Sequence, residues 1–578
     1  MIIHSIFKRF KCFLTISLLY LIVILLNTLT SSNSISSKDM STEHLNYGII
    51  IDAGSTGSRL FLYEWFSLSN KQLINIKIVN DSKGKPVVKK ATPGLSTFAE
   101  NPDAAPDYLL PLLKYASERI PTHKRRKTPL FIFATAGMRL LPLEKQNVII
   151  QSLRKKLPEI IELEINPENI KVITGKWEGI YSWIAVNYML GRFNITNFSE
   201  SSQMSTKLGV NYYSNKIPER PKTAGMIDMG GASTQIAFEL PFNDNSNEQN
   251  LSKEESENVE IVQLGSYPEE KHFFYKIFVT TFLGFGVNEG AKKYEKLLWS
   301  KINKNSSGIS SILDDCLPKN FLKLTSIEDE DGQQFVRKGN GQWDQCVNDI
   351  AALIFDKHKE CPKTKSCFFG GVQVPKGISL SDVELYGFSE YWFSVDDVLS
   401  LGGIYDHDIF EEKARQFCQQ TWRGIKKKVR EKFYPKADKD RIETQCFKSA
   451  WIHAVLHNGF YVEEKRNHFT SAFKIKGQEV QWALGAMIYQ MRDFPAKMHN
   501  SMELRSSTNQ LTSNYTWIIF YLLSFIIVII NTSISNSKPQ GEFVTEFLKF
   551  GYFYISKLFP KDELILKSET VLVNKTVI

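Results

Sequence analysis

The sequence lacks several motifs by which hydrolases and nucleotide-binding proteins are usually found. Its glycine-rich segments have no Gly-Lys-Ser/Thr ending, which excludes a P-loop. Between residues 31 and 514 no Ser or Cys has an adjacent His to activate it, so a covalent intermediate is not required. His453 and His457 have the i, i+4 spacing of a zinc protease without its intervening Glu, and we expect this pair on a helix surface.

Excess charge of one sign is small, at +9 over 578 residues. The basic clusters at 124–127 and 426–428 are expected to be solvated surface, so we predict no nucleic-acid partner. With 43% hydrophobic and 23% charged residues, the chain has an ordinary globular composition. It is long enough for two or more packed domains.

Cysteine is scarce, and the seven cysteines are unevenly placed. Cys12 lies in an apolar segment, whereas the others all follow residue 300. The absence of a paired C-x-x-C spacing argues against a metal site, and the even remaining set predicts disulfides. Spacing alone leaves all pairings open, and the nearest-neighbour choice is Cys316 with Cys346, Cys361 with Cys367 and Cys418 with Cys446.

Two segments are apolar enough to cross a membrane, and basic residues before the first favour a cytoplasmic start. A cleaved signal peptide is the competing interpretation of the first segment, although no small-x-small cleavage site stands out after Leu29. The region between them would lie in a lumen or outside the cell, which agrees with the cysteines and with glycosylation triplets such as that at Asn80. The predicted layout is cytoplasmic ends at 1–11 and 535–578, spans at 12–30 and 515–534, and stalks at 31–46 and 501–514.

One local pattern occurs twice, as IIIDAGSTGSR at 49–59 and as MIDMGGASTQ at 226–235. In each copy an apolar run ends in Asp, small residues follow, and a second apolar run begins, which predicts strand, tight turn and strand. Small residues allow backbone N–H groups to approach a phosphate closely. Two such hairpins, each with an Asp at its root, predict a nucleotide and a metal held between two related lobes.

Three further segments contain candidate functional residues. Residues 131–139 end an apolar strand in small residues and Arg139, which is suited to bidentate phosphate contact. Residues 175–187 predict a helix with Glu178 and Ser182 on one narrow face. Glu178 either favours the helix dipole or serves as a general base whose pKa is raised by apolar surroundings. Trp482 lies at a predicted helix start and is by default a core residue.

These five segments, in this order and at this spacing, resemble the five conserved regions of the apyrase family, the ecto-nucleoside triphosphate diphosphohydrolases. Segments at 176–181, 281–286, 386–390 and 446–451 look most like its two-span Golgi and lysosomal UDPase-type branch. The resemblance implies an α/β fold of the actin, sugar-kinase and heat-shock chaperone superfamily, with two RNase H-like lobes around a central cleft and flanking transmembrane helices. The lobes would be 47–221, completed by 479–500, and 222–478, which contains the disulfides.

The resemblance also implies a role for each matching residue. Glu178 would be the catalytic base, with Ser233 and Gln235 orienting the attacking water. Asp52 and Asp228 would hold Ca²⁺ or Mg²⁺ through water. Trp482 would close the cleft, and Tyr391 and Trp392 are candidates for contacting the nucleobase of the bound nucleotide. The phosphate-binding residues would be Ser55, Thr56, Gly57, Ser58, Arg59, Thr135, Ala136, Gly137, Arg139, Gly230, Gly231 and Ala232.

The predicted function is metal-dependent hydrolysis of the terminal phosphate of nucleoside di- and triphosphates. The shortness of the two spans suits a Golgi membrane, where the enzyme would remove the UDP or GDP left by glycosyltransferases. A lysosomal, endosomal or plasma-membrane location is the alternative, the last with extracellular ATP and ADP as substrates. An actin-like module that binds nucleotide without turnover is the alternative from another class. The two spans leave homo-oligomerisation open.

Overall fold

The computed structural model describes ten stretches of the chain, and both predicted membrane spans lie outside them. Among the described helices, none has the length and apolar character to cross a membrane. The described residues are 45–66, 73–193, 220–241, 256–267, 270–302, 310–327, 333–354, 366–375, 378–465 and 468–494.

Two large sheets organise this part of the chain. The first contains β1 to β6 in the order β3-β2-β1-β5-β6, with β4 also paired to β2, and the second has the order β17-β18-β16-β7-β8-β10-β9. The strands are β1 Leu45–Ala53, β2 Ser58–Phe66, β3 Ile76–Ile78, β4 Val88–Ala91, β5 Leu130–Ala134, β6 Ile170–Val172, β7 Gly225–Met229, β8 Ser233–Glu239, β9 Val259–Gln263, β10 Phe274–Leu283, β11 Ser310–Asp314, β12 Leu322–Ile327, β13 Gln333–Gly339, β14 Ser366–Phe368, β15 Val372–Val374, β16 Leu385–Ser389, β17 Gly403–Ile404, β18 Phe469–Ser471, β19 Lys474–Ile475 and β20 Gln478–Glu479.

The two sheets repeat one topology. In the first, β1 is antiparallel to β2 and parallel to β5, which is parallel to β6. In the second, β7 is antiparallel to β8 and parallel to β16, which is parallel to β18. The two predicted hairpins are therefore the corresponding β1–β2 and β7–β8 units, and the prediction of an α/β fold with two related lobes is confirmed.

Twelve helices are described, and several of them pack against these sheets. Burial on both faces explains the uninterrupted apolar run in β1. Ile49 and Ile51 pack with the helices α1 and α4, whereas Ile50 faces α5 and α12 on the other side. The helices are α1 Ala105–Ser117, α2 Thr122–Arg125, α3 Ala136–Arg139, α4 Leu143–Ile160, α5 Gly175–Leu190, α6 Val287–Ser300, α7 Trp343–Ile354, α8 Glu390–Asp396, α9 His407–Cys418, α10 Trp422–Arg430, α11 Lys439–His453 and α12 Trp482–Met491.

Helices α5 and α12 lie between the two sheets. Helix α5 contacts β7, β8 and β10 of the second sheet, and α12 contacts α5 together with β1 and β3 of the first. Their backbones are so close that a Cβ on Gly485 would lie 1.9 Å from the carbonyl oxygen of Tyr181. One apolar core therefore joins the two sheets, and α5, which precedes the second hairpin in the sequence, packs against strands of the second sheet.

Disulfides occur in the second lobe. Cys316 is bonded to Cys346 and Cys418 to Cys446, as nearest-neighbour pairing predicts. Cys367 is also disulfide-bonded, but Cys361 lies outside the described residues, so the third pair stays a prediction.

The region 407–430 forms two helices, since Thr421 caps the start of α10 by accepting a hydrogen bond from the Gly424 N–H. One expectation for the second lobe was wrong. His453, expected on a helix surface, is only 7% exposed, and it packs edge-on against Trp343.

Candidate active site

The tips of the two hairpins face each other. Each is closed by the same backbone hydrogen bond, from Gly54 N–H to the Gly57 carbonyl (2.9 Å) and from Gly230 N–H to the Ser233 carbonyl (3.0 Å). A Cβ added to Gly231 in the second hairpin would lie 3.0 Å from the Ser55 hydroxyl in the first. Small residues at both tips therefore leave the backbone N–H groups open to an anion between the lobes.

The first tip is supported from behind by two glycines. A Cβ on Gly137 would lie 2.6 Å from the Ser55 Cα, and a Cβ on Gly94 would lie 2.3 Å from the Ser55 carbonyl oxygen. Larger residues would displace the tip. Gly137 therefore packs against the first hairpin and does not line the cavity between the hairpins.

A cavity of about 260 Å³ lies between the hairpins and contains most of the predicted residues. Ser58 and Arg139 do not line the cavity, and Ser58 is fully buried in β2. The predicted residues that line it are Asp52, Ser55, Thr56, Gly57, Arg59, Thr135, Ala136, Glu178, Asp228, Gly230, Gly231, Ala232, Ser233, Gln235 and Trp482.

The two hairpin aspartates are buried in this cavity. Burial raises the pKa of Asp52 to about 6, the Arg59 guanidinium 3.6 Å away lowers it, and the charge of Asp228 raises it again. Burial likewise raises the pKa of Asp228, and hydrogen bonds from the Ser389 and Ser182 hydroxyls partly offset this. The pKa values of both carboxyl groups thus stay raised, because the neighbouring side chains compensate only part of the effect of burial.

Glu178 lies in the first turn of α5, whose start is capped by Thr174 accepting from the Trp177 N–H at 3.4 Å. Arg139 donates a 2.9 Å hydrogen bond to the Glu178 carboxylate and another, of 3.1 Å, to the Ile173 carbonyl. Burial raises the pKa of Glu178 to about 7 although Arg139 lowers it. A carboxylate with this pKa can accept a proton from water near neutral pH.

Ser233 and Gln235 lie beside this carboxylate. The Gln235 amide donates to the Ser233 hydroxyl at 2.6 Å, to Thr281 at 3.2 Å and to Glu178 at 3.5 Å. Arg139 donates to the same Ser233 hydroxyl at 3.3 Å. Arg139 and Gln235 thus donate both to the Ser233 hydroxyl and to one oxygen of Glu178, the arrangement expected of groups that orient a water next to a base.

The donor set fits a divalent cation. Ca²⁺ and Mg²⁺ prefer oxygen ligands, and the cavity offers the carboxylates of Asp52 and Asp228 with the hydroxyl of Ser182, which donates to Asp228 at 3.4 Å. The mutual repulsion that raises the pKa of Asp52 would be relieved by a cation between the lobes. These residues could hold it directly or through water.

Neither of the two aromatic residues predicted to contact the nucleobase lines the cavity. Tyr391 is fully buried and packs edge-on against Phe469, and Trp392 stacks on Phe473 at 6.3 Å outside the lining. The aromatic residues of the second lobe that do line it include Phe393 and Phe473, whose ring centroids are 6.1 Å apart.

Sequence reasoning assigned no role to several polar residues that line the site, among them Ser389, Asn288 and Gln481. Ser389 hydrogen-bonds to Asp228 from a backbone with φ of 56°, which is unusual for a residue other than glycine. Asn288 lies beside the second hairpin. The side-chain oxygen of Gln481 accepts a hydrogen bond from Arg59 at 3.5 Å. Only the segment 386–390, noted for its resemblance, hinted at Ser389.

Comparison with known proteins agrees with this geometry and identifies the class. The fold is similar to that of nucleoside triphosphate hydrolases from Neospora caninum, with a TM-score of 0.52 and 13% identity over 81% of this chain and 98% of that one. Residues 38–507 match the GDA1/CD39 (nucleoside phosphatase) family model, and the chain belongs to that family. The predicted family is thereby confirmed.

Curated relatives match along most of their length. The chain is 47% identical to nucleoside-diphosphatase mig-23 of Caenorhabditis elegans over 485 residues, which is 83% of each chain. It is 34% identical over 513 residues to human ectonucleoside triphosphate diphosphohydrolase 7, covering 86% of this chain and 82% of the relative.

Proposed function

We propose that this protein hydrolyses the terminal phosphate of nucleoside diphosphates and triphosphates, with water activated by Glu178. The observation that carries the proposal is a buried carboxylate with a pKa of about 7, held by Arg139 beside two phosphate-binding hairpins. A module that only binds nucleotide would not need this group, nor the Gln235 amide that donates both to it and to the Ser233 hydroxyl.

The residues supply each requirement of phosphoanhydride hydrolysis. Water attacks the terminal phosphorus in line with the bridging oxygen, and its proton passes to Glu178. The bond from phosphorus to the bridging oxygen breaks, which leaves inorganic phosphate and a nucleotide shorter by one phosphate. Backbone N–H groups at 55–57 and 231–232, together with Arg59, stabilise the negative charge on the phosphates.

A bound Ca²⁺ or Mg²⁺ would be held by Asp52 and Asp228 and would neutralise charge on the phosphoryl oxygens. This dependence is part of the proposal. The support for it is the buried pair of carboxylates, whose charges repel each other. We propose that the nucleobase stacks on Phe393 and Phe473, which line the second-lobe wall of the cavity and offer their ring faces.

Nucleoside diphosphates are the favoured substrates, because the mig-23 relative is named for that activity and matches 83% of this chain. We place the enzyme in a Golgi membrane, with the catalytic part luminal and two spans at 12–30 and 515–534, where it would support glycosylation by removing UDP and GDP. The short predicted spans and the disulfides of the second lobe support a secretory location. The cell surface, lysosomes and endosomes are the alternatives.

The substrate experiment uses the full chain purified in detergent. Phosphate release is measured from UDP, GDP, ADP and ATP with Ca²⁺, with Mg²⁺, and with a chelator. We expect phosphate release from the diphosphates, and we expect the chelator to abolish that release. Tight nucleotide binding without cation-stimulated release would favour the non-hydrolytic module instead.

The location is tested separately, by immunolabelling the full chain alongside Golgi, lysosomal and surface markers. Overlap with the Golgi marker is expected. A surface signal without Golgi overlap would contradict the proposed location and would leave the proposed chemistry standing.

A further inference from the structure

The second lobe contains three histidines whose ring nitrogens come together away from the active-site cavity. One ligand atom of each of His407, His453 and His457 lies within 4.8 Å of the others. His407 begins α9, His453 ends α11, and His457 lies in the π-helical turn Ala454–Gly459 that continues α11. None of the three lines the cavity between the hairpins.

A carboxylate completes the cluster. The Nε2 atom of His453 lies 3.1 Å from the Oε1 atom of Glu411, and the Nε2 atom of His407 lies 3.6 Å from the same oxygen. These two Nε2 atoms are 3.3 Å apart. Glu411 lies one turn after His407 on α9, so the helix itself brings both groups to the same side.

The outer nitrogens of two rings have partners that fix their orientation. The Nδ1 atom of His457 lies 2.8 Å from the Val462 carbonyl, and that of His407 lies 3.0 Å from an Asp408 carboxylate oxygen. A carbonyl and a carboxylate can only accept, so each Nδ1 carries the hydrogen and each Nε2 presents its lone pair to the cluster. This pairing of an inner lone pair with an outer acceptor is typical of metal-binding histidines.

Hydrogen bonding alone leaves this arrangement incompletely satisfied. His407 and His453 are 8% and 7% exposed, and the Nδ1 atom of His453 has no hydrogen-bond partner among the described residues. A cation between the Nε2 atoms would be bound by the lone pairs of all three rings, in place of the hydrogen that His453 otherwise directs at Glu411 and His407. Glu411 is 26% exposed, so the cluster can be reached from solvent.

We propose that His407, His453, His457 and Glu411 form a structural zinc site. Three imidazoles and one carboxylate make up the four-ligand set that Zn²⁺ takes in tetrahedral sites, and imidazole favours zinc over the Ca²⁺ or Mg²⁺ expected in the cleft. The Tyr405 hydroxyl, 2.9 Å from the Nε2 atom of His457, would give up that contact to the metal.

The site would secure one end of a helix pair whose other end is covalently joined. The disulfide between Cys418 and Cys446 links the last residue of α9 to α11, and the histidine cluster links the first residue of α9 to the last of α11. Zinc would thus stabilise the packing of the two helices where the disulfide does not reach.

The test uses the full chain, purified without a polyhistidine tag, incubated with Zn²⁺ and then dialysed. Elemental analysis should find about one zinc per chain in the wild type, as for a closed four-ligand site. The variants His453→Gln and His457→Gln should retain less than about a fifth of that amount. His272→Gln is the matched control, because His272 is a half-buried histidine outside the cluster, and it should bind zinc like the wild type.

Two further measurements distinguish a lost site from a misfolded chain. Asp408→Asn leaves all four ligands in place but weakens the partner of His407, so zinc affinity should fall about tenfold or more. Co²⁺ in place of zinc should give the intense visible absorption of a tetrahedral site in the wild type and in His272→Gln, and should not give it in His453→Gln or His457→Gln. The absence of zinc in the wild type, or equal zinc in the wild type and in folded cluster variants, would overturn the proposal.

Discussion

Replacing Glu178 with glutamine removes the proposed proton acceptor while keeping the size of the side chain. Arg139 donates to this side chain at 2.9 Å, and an amide oxygen can accept the same bond, so the local packing should survive. We expect kcat to fall about 10²- to 10⁴-fold, the contribution of a general base. That corresponds to roughly 3 to 5 kcal/mol of activation free energy. The nucleotide KM should change little, because the phosphate hairpins are untouched.

The pH dependence gives a second, independent readout. Burial raises the pKa of Glu178 to about 7, and the group must be ionised to accept a proton. Wild-type kcat/KM should therefore rise with pH through about 7, and at pH 6 it should be about a tenth of its plateau. The residual activity of Glu178→Gln should lack this inflection.

The assay is initial-rate phosphate release from UDP with Ca²⁺ between pH 5 and pH 9. Glu159→Gln is the control, because Glu159 is an exposed glutamate of α4 and should behave like the wild type in both readouts. Equal rates for the wild type and Glu178→Gln would refute the assignment of the base. An unchanged acidic limb in the variant would show that another group causes it.

Three further perturbations follow from the structure. Arg139→Ala should lower kcat more than about tenfold and move the acidic limb to higher pH, because the guanidinium lowers the pKa of Glu178. Asp228→Asn should abolish stimulation by Ca²⁺ and yet raise the melting temperature in chelator, because burial raises the pKa of Asp228 and its ionisation at neutral pH opposes folding. Gly485→Ala should lower the free energy of unfolding by about 1 to 3 kcal/mol in denaturant titration, because its Cβ would meet the Tyr181 carbonyl.

Each has a matched comparison. Arg119→Ala changes an arginine that lies outside the cavity and should keep the wild-type pH profile. Asp107→Asn changes an exposed aspartate in the first turn of α1 and should leave Ca²⁺ stimulation intact. Gly424→Ala places a Cβ whose nearest neighbour is the Thr421 hydroxyl at 3.3 Å, compared with 1.9 Å at Gly485, so it should cost much less. If any control matched its test variant, the corresponding argument would fail.

Local patterns in the sequence predicted much of the fold. The apolar run at 130–134 is β5, Leu130–Ala134, because a strand buried on both faces needs no polar alternation. The narrow polar face of α5 was also predictable, since Glu178 and Ser182 are one turn apart and both line the cavity. The repeated hairpin predicted the two lobes because both copies have the same strand, turn and strand pattern with an Asp at the end of the first strand.

Contacts between distant segments could not be predicted in this way. Ser389 reaches Asp228 only because β16 lies beside β7, and its positive φ leaves no mark in the sequence. Tyr391 and Trp392 are adjacent aromatics, but the start of α8 buries the first and turns the second outside the cavity lining. His453 was misassigned because i, i+4 spacing cannot show that α9 covers that face.

The central claim, that water activated in this cleft attacks the terminal phosphorus, is tested most directly by hydrolysing UDP in ¹⁸O-labelled water. Mass analysis of both products from the purified full chain with Ca²⁺ should show one ¹⁸O atom in each released phosphate and none in UMP. Label in UMP would place the attack on the other phosphorus. Unlabelled phosphate, or no cation-dependent release at all, would contradict the account.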